Sequence, residues 1–366
     1  DAAGAAGDTP VILQRPPKPE LGDFAVPCYP LAKQLLFRID PERAHHLTIE
    51  GLRRASQLGL AAPLLSPHLP DSPVEVMGLD FPNRVGLAAG MDKSGACVAG
   101  FGAMGFGHVE VGTVTPRPQP GNDKPRLFRL KKAGAIINRM GFNNPGIDQM
   151  LVNLADSTQG FRGILGINIG KNFDTPLENA ADDYLICLRK AYARADYITV
   201  NFSSPNTKNL RELQQADAAR DLLSKLKSEQ QKLSGEHGKH VPLAIKIAPD
   251  LEDDHIQELA TLFLDLEMDA VIATNTTISR EAVNGLEHAE EAGGLSGRPV
   301  RDASTHVIRV LKATLGDKIP IIGVGGISAG GDALAKIDAG AELVQIYTGL
   351  IYRGNGLVEE CLRTLR

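Results

Sequence analysis

Eight apolar runs of strand length, spread between residues 84 and 347, constrain this chain more than any other feature. They are Arg84–Ala89, His108–Thr113, Ile164–Ile169, Tyr197–Asn201, Leu243–Ile247, Ala270–Asn275, Ile319–Val324 and Leu343–Tyr347. Most are separated by helix-length segments, such as Ala216–Leu233, Asp253–Leu266, Val300–Leu315 and Gly331–Ala339. Strand–helix alternation repeated this often predicts an α/β fold, a parallel sheet closed into a (β/α)8 TIM barrel. A doubly wound open sheet is the alternative. It usually needs fewer strands and a GxGxxG turn after its first strand, and no such turn occurs here.

The chain ahead of the barrel reads differently. Residues 1–28 are rich in Ala, Gly and Pro without periodicity and are expected to form a flexible leader. Leu31, Leu35, Leu36 and Ile39 then recur at helical spacing. Asp40 and Pro41 suit the N-cap and first turn of a second helix, with a stripe of Ala44, Leu47, Thr48, Gly51, Leu52, Ala55 and Leu58. Lys33, Arg38, Arg43, Arg53 and Arg54 flank these stripes, and Pro63, Pro67, Pro70 and Pro73 make a stiff linker. The expected organisation is therefore a helical region at 29–66 and a barrel at 73–366. The long gap between the second and third runs is expected to form an extension at 115–160 over the barrel mouth.

Composition excludes several classes. A formal net charge of -5 argues against a nucleic-acid partner held by a basic face. Cys28, Cys97, Cys187 and Cys361 form no CxxC pair and no metal-ligand spacing, so free thiols and no metal site are expected. No apolar stretch approaches the ~18–20 residues of a membrane span.

Barrel enzymes carry their chemistry at the C-terminal ends of the strands. Here those ends supply Ala89-Gly90 with Lys93, then Thr113, Asn168 and Asn201 through Asn206. They go on to Lys246, Thr274-Asn275-Thr276, Gly323 through Gly326 and Tyr347-Thr348. Lys246 lies inside an apolar run, where a cation is costly without an anionic or electron-rich partner. It is either a snorkelling or salt-bridged lysine or, with Lys93, part of a cationic pair facing an anionic ligand. Gly325-Gly326 and the glycine-rich Gly293–Gly297 suit phosphate turns associated with the seventh and eighth strands. The segment Asn201-Phe-Ser-Ser-Pro-Asn-Thr207 has the amides and hydroxyls to hold a flat polar ligand and move a proton.

Several motifs occur in one consistent order. They are Gly86-Leu-Ala-Ala-Gly-Met-Asp-Lys93, Gly112-Thr-Val-Thr-Pro-Arg-Pro-Gln-Pro-Gly121, Asn138-Arg-Met-Gly-Phe-Asn143 and Gly166-Ile-Asn-Ile-Gly-Lys171. Asn201-Phe-Ser-Ser-Pro-Asn206, Ala273-Thr-Asn-Thr-Thr277, Gly293-Gly-Leu-Ser-Gly297 and Gly323-Val-Gly-Gly-Ile327 follow. On these motifs the chain closely resembles the membrane-associated, quinone-using class of dihydroorotate dehydrogenases, from Tyr29 to near the C-terminus. The resemblance implies an FMN-dependent oxidation of dihydroorotate to orotate, the redox step of pyrimidine biosynthesis. It implies FMN contacts at Ala89, Gly90, Lys93, Thr113, Asn168, Asn201, Lys246, Thr274, Gly297, Gly326, Tyr347 and Thr348. Orotate contacts are implied at Lys93, Asn138, Arg139, Met140, Gly141, Phe142, Asn201, Asn206, Asn275 and Thr276. Ser204 is implied as the general base, facing the substrate opposite the flavin.

Serine rather than cysteine at this position matches the quinone class. Soluble relatives, which reduce fumarate or NAD, use cysteine as the base. The serine proton needs a way out, through Thr207 or a buried water. The two short helices ahead of the barrel could lie on a membrane surface or merely pack on the barrel. The resemblance implies that they form a tunnel for ubiquinone or menaquinone, with His45, Arg129 and Tyr347 as its polar positions. The expected location is peripheral, on the cytoplasmic face of a bacterial inner membrane, or on the mitochondrial inner membrane in a eukaryote. No iron–sulfur partner is expected. A non-redox barrel enzyme acting on a phosphorylated sugar would explain the glycine turns but not Lys93, the asparagines or the amino-terminal helices. A flavin-dependent reductase of RNA pyrimidines would need a basic addition that the charge argues against. The complete polar set at the strand ends argues against a catalytically silent scaffold.

Overall fold

The computed structural model describes residues 33–67 and 69–366. The expected leader at 1–28 and Leu31 lie outside that range. Helix Pro41–Gln57 starts as the sequence suggests, with the Arg43 amide donating to Asp40 Oδ1 at 2.8 Å. The described residues divide between Leu47 and Thr48 into two units, a cut that falls inside the 29–66 region. The predicted helix stripe does not stay together. Leu52 is buried, but Leu47 and Leu58 are 53% and 72% exposed. Periodicity located the helix without showing which part of its stripe is covered.

Strands β1 (Val74–Val76) and β2 (Leu79–Phe81) form an antiparallel hairpin. A closed parallel barrel follows, built from β3 (Val85–Leu87), β4 (His108–Val114), β7 (Ile164–Ile169), β8 (Tyr197–Asn201), β9 (Leu243–Ile247), β10 (Ala270–Ala273), β12 (Ile321–Val324) and β13 (Leu343–Ile346). Every neighbour in the barrel is the next barrel strand in the chain, and β13 closes onto β3. Strands β5 (Leu127–Leu130) and β6 (Ala135–Asn138) form a hairpin within the predicted extension.

One expectation needs correcting. Gly294–Gly297 is not a phosphate turn of the seventh or eighth barrel strand. It follows the sixth barrel strand as β11 and pairs antiparallel with β6. A Cβ on Gly297 would stand 2.4 Å from the Gly134 carbonyl oxygen, so close backbone approach explains that glycine.

The two-residue period of a strand separates two environments. In β9, Leu243, Ile245 and Ile247 join the core between strands and helices, while Ala244 belongs to a smaller cluster inside the barrel. Lys246, two residues on from Ala244, shares its inward face. Val76 and Phe81 of the β1–β2 hairpin also belong to the interior cluster. Cys97, Cys187 and Cys361 are free and buried.

At the hairpin end of the barrel, His108 is fully buried edge-on to Phe81, with ring centroids 5.3 Å apart. Neither ring nitrogen has a hydrogen-bond partner among the described residues. Burial pushes the imidazole down to about 3. The unfolded chain takes up this proton below about pH 6.5, and the folded chain does so only near the lower value. The contribution is therefore complete above the unfolded pKa and is lost as pH falls through this window. At pH 4.5 the loss is about 3 kcal/mol. His108→Leu should shrink the fall in urea midpoint between pH 7 and 4.5. An equal fall in both proteins would reject His108 as its source.

Candidate active site

One cavity opens at the C-terminal ends of the barrel strands, with about 1010 Å³ of space including its mouth. It brings together Ala89, Gly90, Lys93, Thr113, Asn201, Ser204, Asn206, Lys246, Thr274, Asn275 and Thr276. Gly297, Gly326, Tyr347 and Thr348 close it, and the extension supplies Asn138, Met140, Gly141 and Phe142.

Lys246 is 5% exposed, and burial pushes its ammonium below the usual lysine range while the charge of Glu110 opposes that shift. Among the described residues no hydrogen bond is made by the Lys246 ammonium, although its backbone is paired in the barrel. Lys93 is tied down, with Nζ donating to the Gly90 carbonyl at 2.8 Å. Two cationic side chains therefore line one cavity, but only Lys246 rises from a barrel strand.

The amides are interlocked. Asn206 Nδ2 donates to Asn138 Oδ1 at 3.2 Å, joining the segment after β8 to the extension. Asn275 Nδ2 donates to Ser203 Oγ at 3.0 Å and to Asn201 Oδ1 at 3.3 Å. Asn206 Oδ1 and Thr276 Oγ1 are buried without partners among the described residues. Such atoms are rare in folded proteins and mark places where a bound molecule can supply the missing hydrogen bond. Ser204 is 6% exposed, and its Oγ accepts from the Asn206 amide at 3.2 Å. Thr207 Oγ1, three residues away, is buried without a partner among the described residues.

Of the positions expected to touch FMN or orotate, Asn168 and Arg139 do not line the cavity. Asn168 lies beneath it. Its Oδ1 accepts from Thr113 Oγ1 at 2.6 Å and Asn201 Nδ2 at 3.2 Å, and its Nδ2 donates to Glu110 Oε1 at 2.7 Å. Asn168 therefore orients two lining residues. The Arg139 side chain pairs with Glu291 at 2.7 Å and stacks its guanidinium over Phe128. Arg129 is on β5, where its charge acts on Tyr352. His45 lies on helix Pro41–Gln57, in the other unit, beside the ring of His46.

The structure also adds residues. Ala88, Val300, Ile327, Gln345 and Gly349 line the cavity, together with Ser296, Val324 and Gly325 of the glycine-rich segments already singled out. Under it, Glu110 Oε2 accepts from Gln345 Nε2 at 2.8 Å and Tyr197 Oη at 3.0 Å. Glu110 is fully buried in an apolar run. The cue that singled out Lys246, a charge among apolar residues, also marks Glu110.

The Dihydroorotate dehydrogenase family pattern matches residues 72–366. Proteins named dihydroorotate dehydrogenase (quinone) from Burkholderia pseudomallei strain 668 and Burkholderia mallei strain SAVP1 are each 61% identical over 337 residues. These alignments cover 92% of this chain and 98% and 97% of those proteins. The crystal structure of DHODH from Eimeria tenella in complex with ferulenol superposes with a TM-score of 0.79 at 40% identity. It covers 89% of this chain and 90% of that one. The ligand-free form gives 0.78, also at 40% identity, over 89% and 94%.

Proposed function

The chain belongs to the dihydroorotate dehydrogenase family, in its quinone-using class, and from that membership we propose how its residues carry the reaction. It is an oxidoreductase that oxidises dihydroorotate with a quinone as electron acceptor. The observation that carries the finer reading is one cavity holding, among the described residues, a buried cation without a hydrogen-bond partner, orphaned amide and hydroxyl oxygens, and an alcohol. These are Lys246, Asn206 with Thr276, and Ser204.

The residues present fit FMN. Gly326, at φ +77, has no room for a Cβ, which would lie 2.4 Å from Arg301 Cα. It lines the cavity beside Gly325, so backbone can approach a phosphate closely there. Lys246 would hold the electron-rich edge of the ring, with Thr113, Asn201 and Thr274 beside it. Bound FMN would accept hydride from C6 of dihydroorotate and pass the electrons to quinone.

Asn138, Asn206 and Asn275 present the donors and acceptors that a pyrimidine edge requires. Ser204 takes the C5 proton as its own hydroxyl proton leaves, and Thr207 stands close in sequence to carry that proton outward. Both hydroxyls are buried, so proton movement there is shielded from bulk water. The activity serves pyrimidine biosynthesis. His45, Arg129 and Tyr347 remain the proposed polar positions for quinone.

Contact with the membrane surface is proposed through exposed leucines. Leu58, Leu60 and Leu64 are 72%, 50% and 72% exposed, around the short helix Ala61–Leu65. Among the described residues no helix is long and apolar enough to cross a membrane. Burying one leucine contributes about 1.5–3 kcal/mol. Serine at all three positions should therefore weaken vesicle binding by at least ~10-fold. The proposed location is peripheral, at the inner membrane.

The test is direct. The purified chain should carry oxidised-flavin absorption, bleach with dihydroorotate under anaerobic conditions and recolour with quinone. The triple serine variant should bleach normally but bind lipid vesicles poorly. A colourless chain that turns over dihydroorotate would overturn the FMN assignment, and unchanged vesicle binding would overturn the leucine surface.

A further inference from the structure

Arg211 is outside the cavity lining, yet its one side chain joins three consecutive barrel loops. Its Nε donates to the Ser203 carbonyl at 2.9 Å, in the loop after β8. Its Nη1 pairs with Asp250 Oδ2 at 2.7 Å, after β9. Its Nη2 donates to the Thr276 carbonyl at 2.8 Å, after β10. Asp250 is itself fixed, accepting from Thr277 Oγ1 and from the Ile278 amide. Both the Arg211 and Asp250 side chains are about one-fifth exposed, at 21% and 18%.

The bonded carbonyls are those of Ser203 and Thr276. Their neighbours Ser204 and Asn275 line the cavity. The segment from Ser203 to Gln214 is anchored at its far end, where Gln214 Oε1 accepts from the Ala248 amide at 2.9 Å and Leu213 is buried. Its tip reaches the extension through polar contacts at Asn206, including the hydrogen bond from its Nδ2 to Asn138 Oδ1 and a 3.3 Å hydrogen bond from Asn122 Nδ2 to the Asn206 carbonyl. Lys208 and Asn209 are exposed. Between the anchored end and the tip, the guanidinium ties the segment to both neighbouring loops.

We propose that Arg211 is the latch of this segment, a positioning residue that holds Ser204 and Asn206 against the cavity. The inference rests on the reading of Ser204 as base and Asn206 as a substrate contact. A planar guanidinium can satisfy three acceptors in fixed directions, whereas an ammonium on a flexible stem cannot match that fork. With the latch released, the segment opens locally while the strands stay closed, because local stability follows local contacts. The base then spends less time in line with the C5 proton.

Hydrogen exchange of the purified full chain tests this. In Arg211→Ala, amides at 203–213 should exchange at least ~10-fold faster, while those of the barrel strands stay unchanged. Flavin content should be retained, and flavin reduction by dihydroorotate should slow. Added methylguanidinium should restore part of that rate, and methylammonium should not. Arg211→Lys should resemble Arg211→Ala in exchange. Unchanged exchange at 203–213 would overturn the latch whatever the activity, and so would loss of flavin together with faster exchange throughout the barrel. The exchange measurement does not need turnover, so a failure of the latch is separable from a failure of the functional reading.

Discussion

Ser204→Ala is expected to keep flavin bound and to slow flavin reduction by dihydroorotate by ~10²-fold or more, the usual range for losing a general base. Geometry supports the size of the effect. Ser204 lines the cavity with 6% exposure, and among the described residues its Oγ accepts one hydrogen bond, from the Asn206 amide. Removing one hydroxyl leaves that amide at a cavity wall rather than in a packed core. The fold cost should therefore be about the 1 kcal/mol of an ordinary hydrogen bond. The kinetic loss would greatly exceed it. Ser204→Cys should recover part of the rate and gain activity as pH rises through the thiol range near ~8.5. Stopped-flow reduction at an unchanged rate in the alanine variant would remove Ser204 from the mechanism.

Lys246→Met should lower the reduction potential of bound FMN, or release the cofactor. Methionine keeps the apolar stem and volume while deleting the charge, so the barrel interior loses little packing. A hydrogen bond from a charged donor is worth about 1.5–3 kcal/mol, equivalent to roughly 30–60 mV for a two-electron couple. The sign follows from charge. A cation favours the more negative, reduced form of the ring, so its loss disfavours reduction. Burial already works against the Lys246 charge, and Glu110 supports it. A purified Lys246→Met protein with full flavin and an unshifted potential would contradict this role.

Much of the scaffold was legible because its signals are local and repeated. The runs Ile164–Ile169, Tyr197–Asn201 and Leu243–Ile247 coincide with strands to the residue. Their apolar length and polar exits leave few alternatives. The run Ala270–Asn275 ends as a strand at Ala273, and Ile319–Val324 begins as one at Ile321. Thr274 and Asn275 are already the polar exit of the sixth barrel strand, and Pro320 has no amide hydrogen to give a ladder. The glycine-rich Gly293–Gly297 misled for a different reason. Glycine needed for close strand approach and glycine needed in a phosphate turn look alike in sequence.

By itself the sequence determined the closed α/β alternation, the polar strand ends and the oddity of a lysine inside an apolar strand. Each follows from patterns a few residues long, where period and burial cost act on neighbours in the chain. Only the tertiary structure decided which of those residues share one cavity. It set Asn168 beneath the cavity, turned Arg139 toward Glu291 and brought Asn206 to Asn138, 68 positions apart. It also put Arg211 across three loops. Such pairings depend on barrel closure and on side-chain direction, which no local pattern encodes.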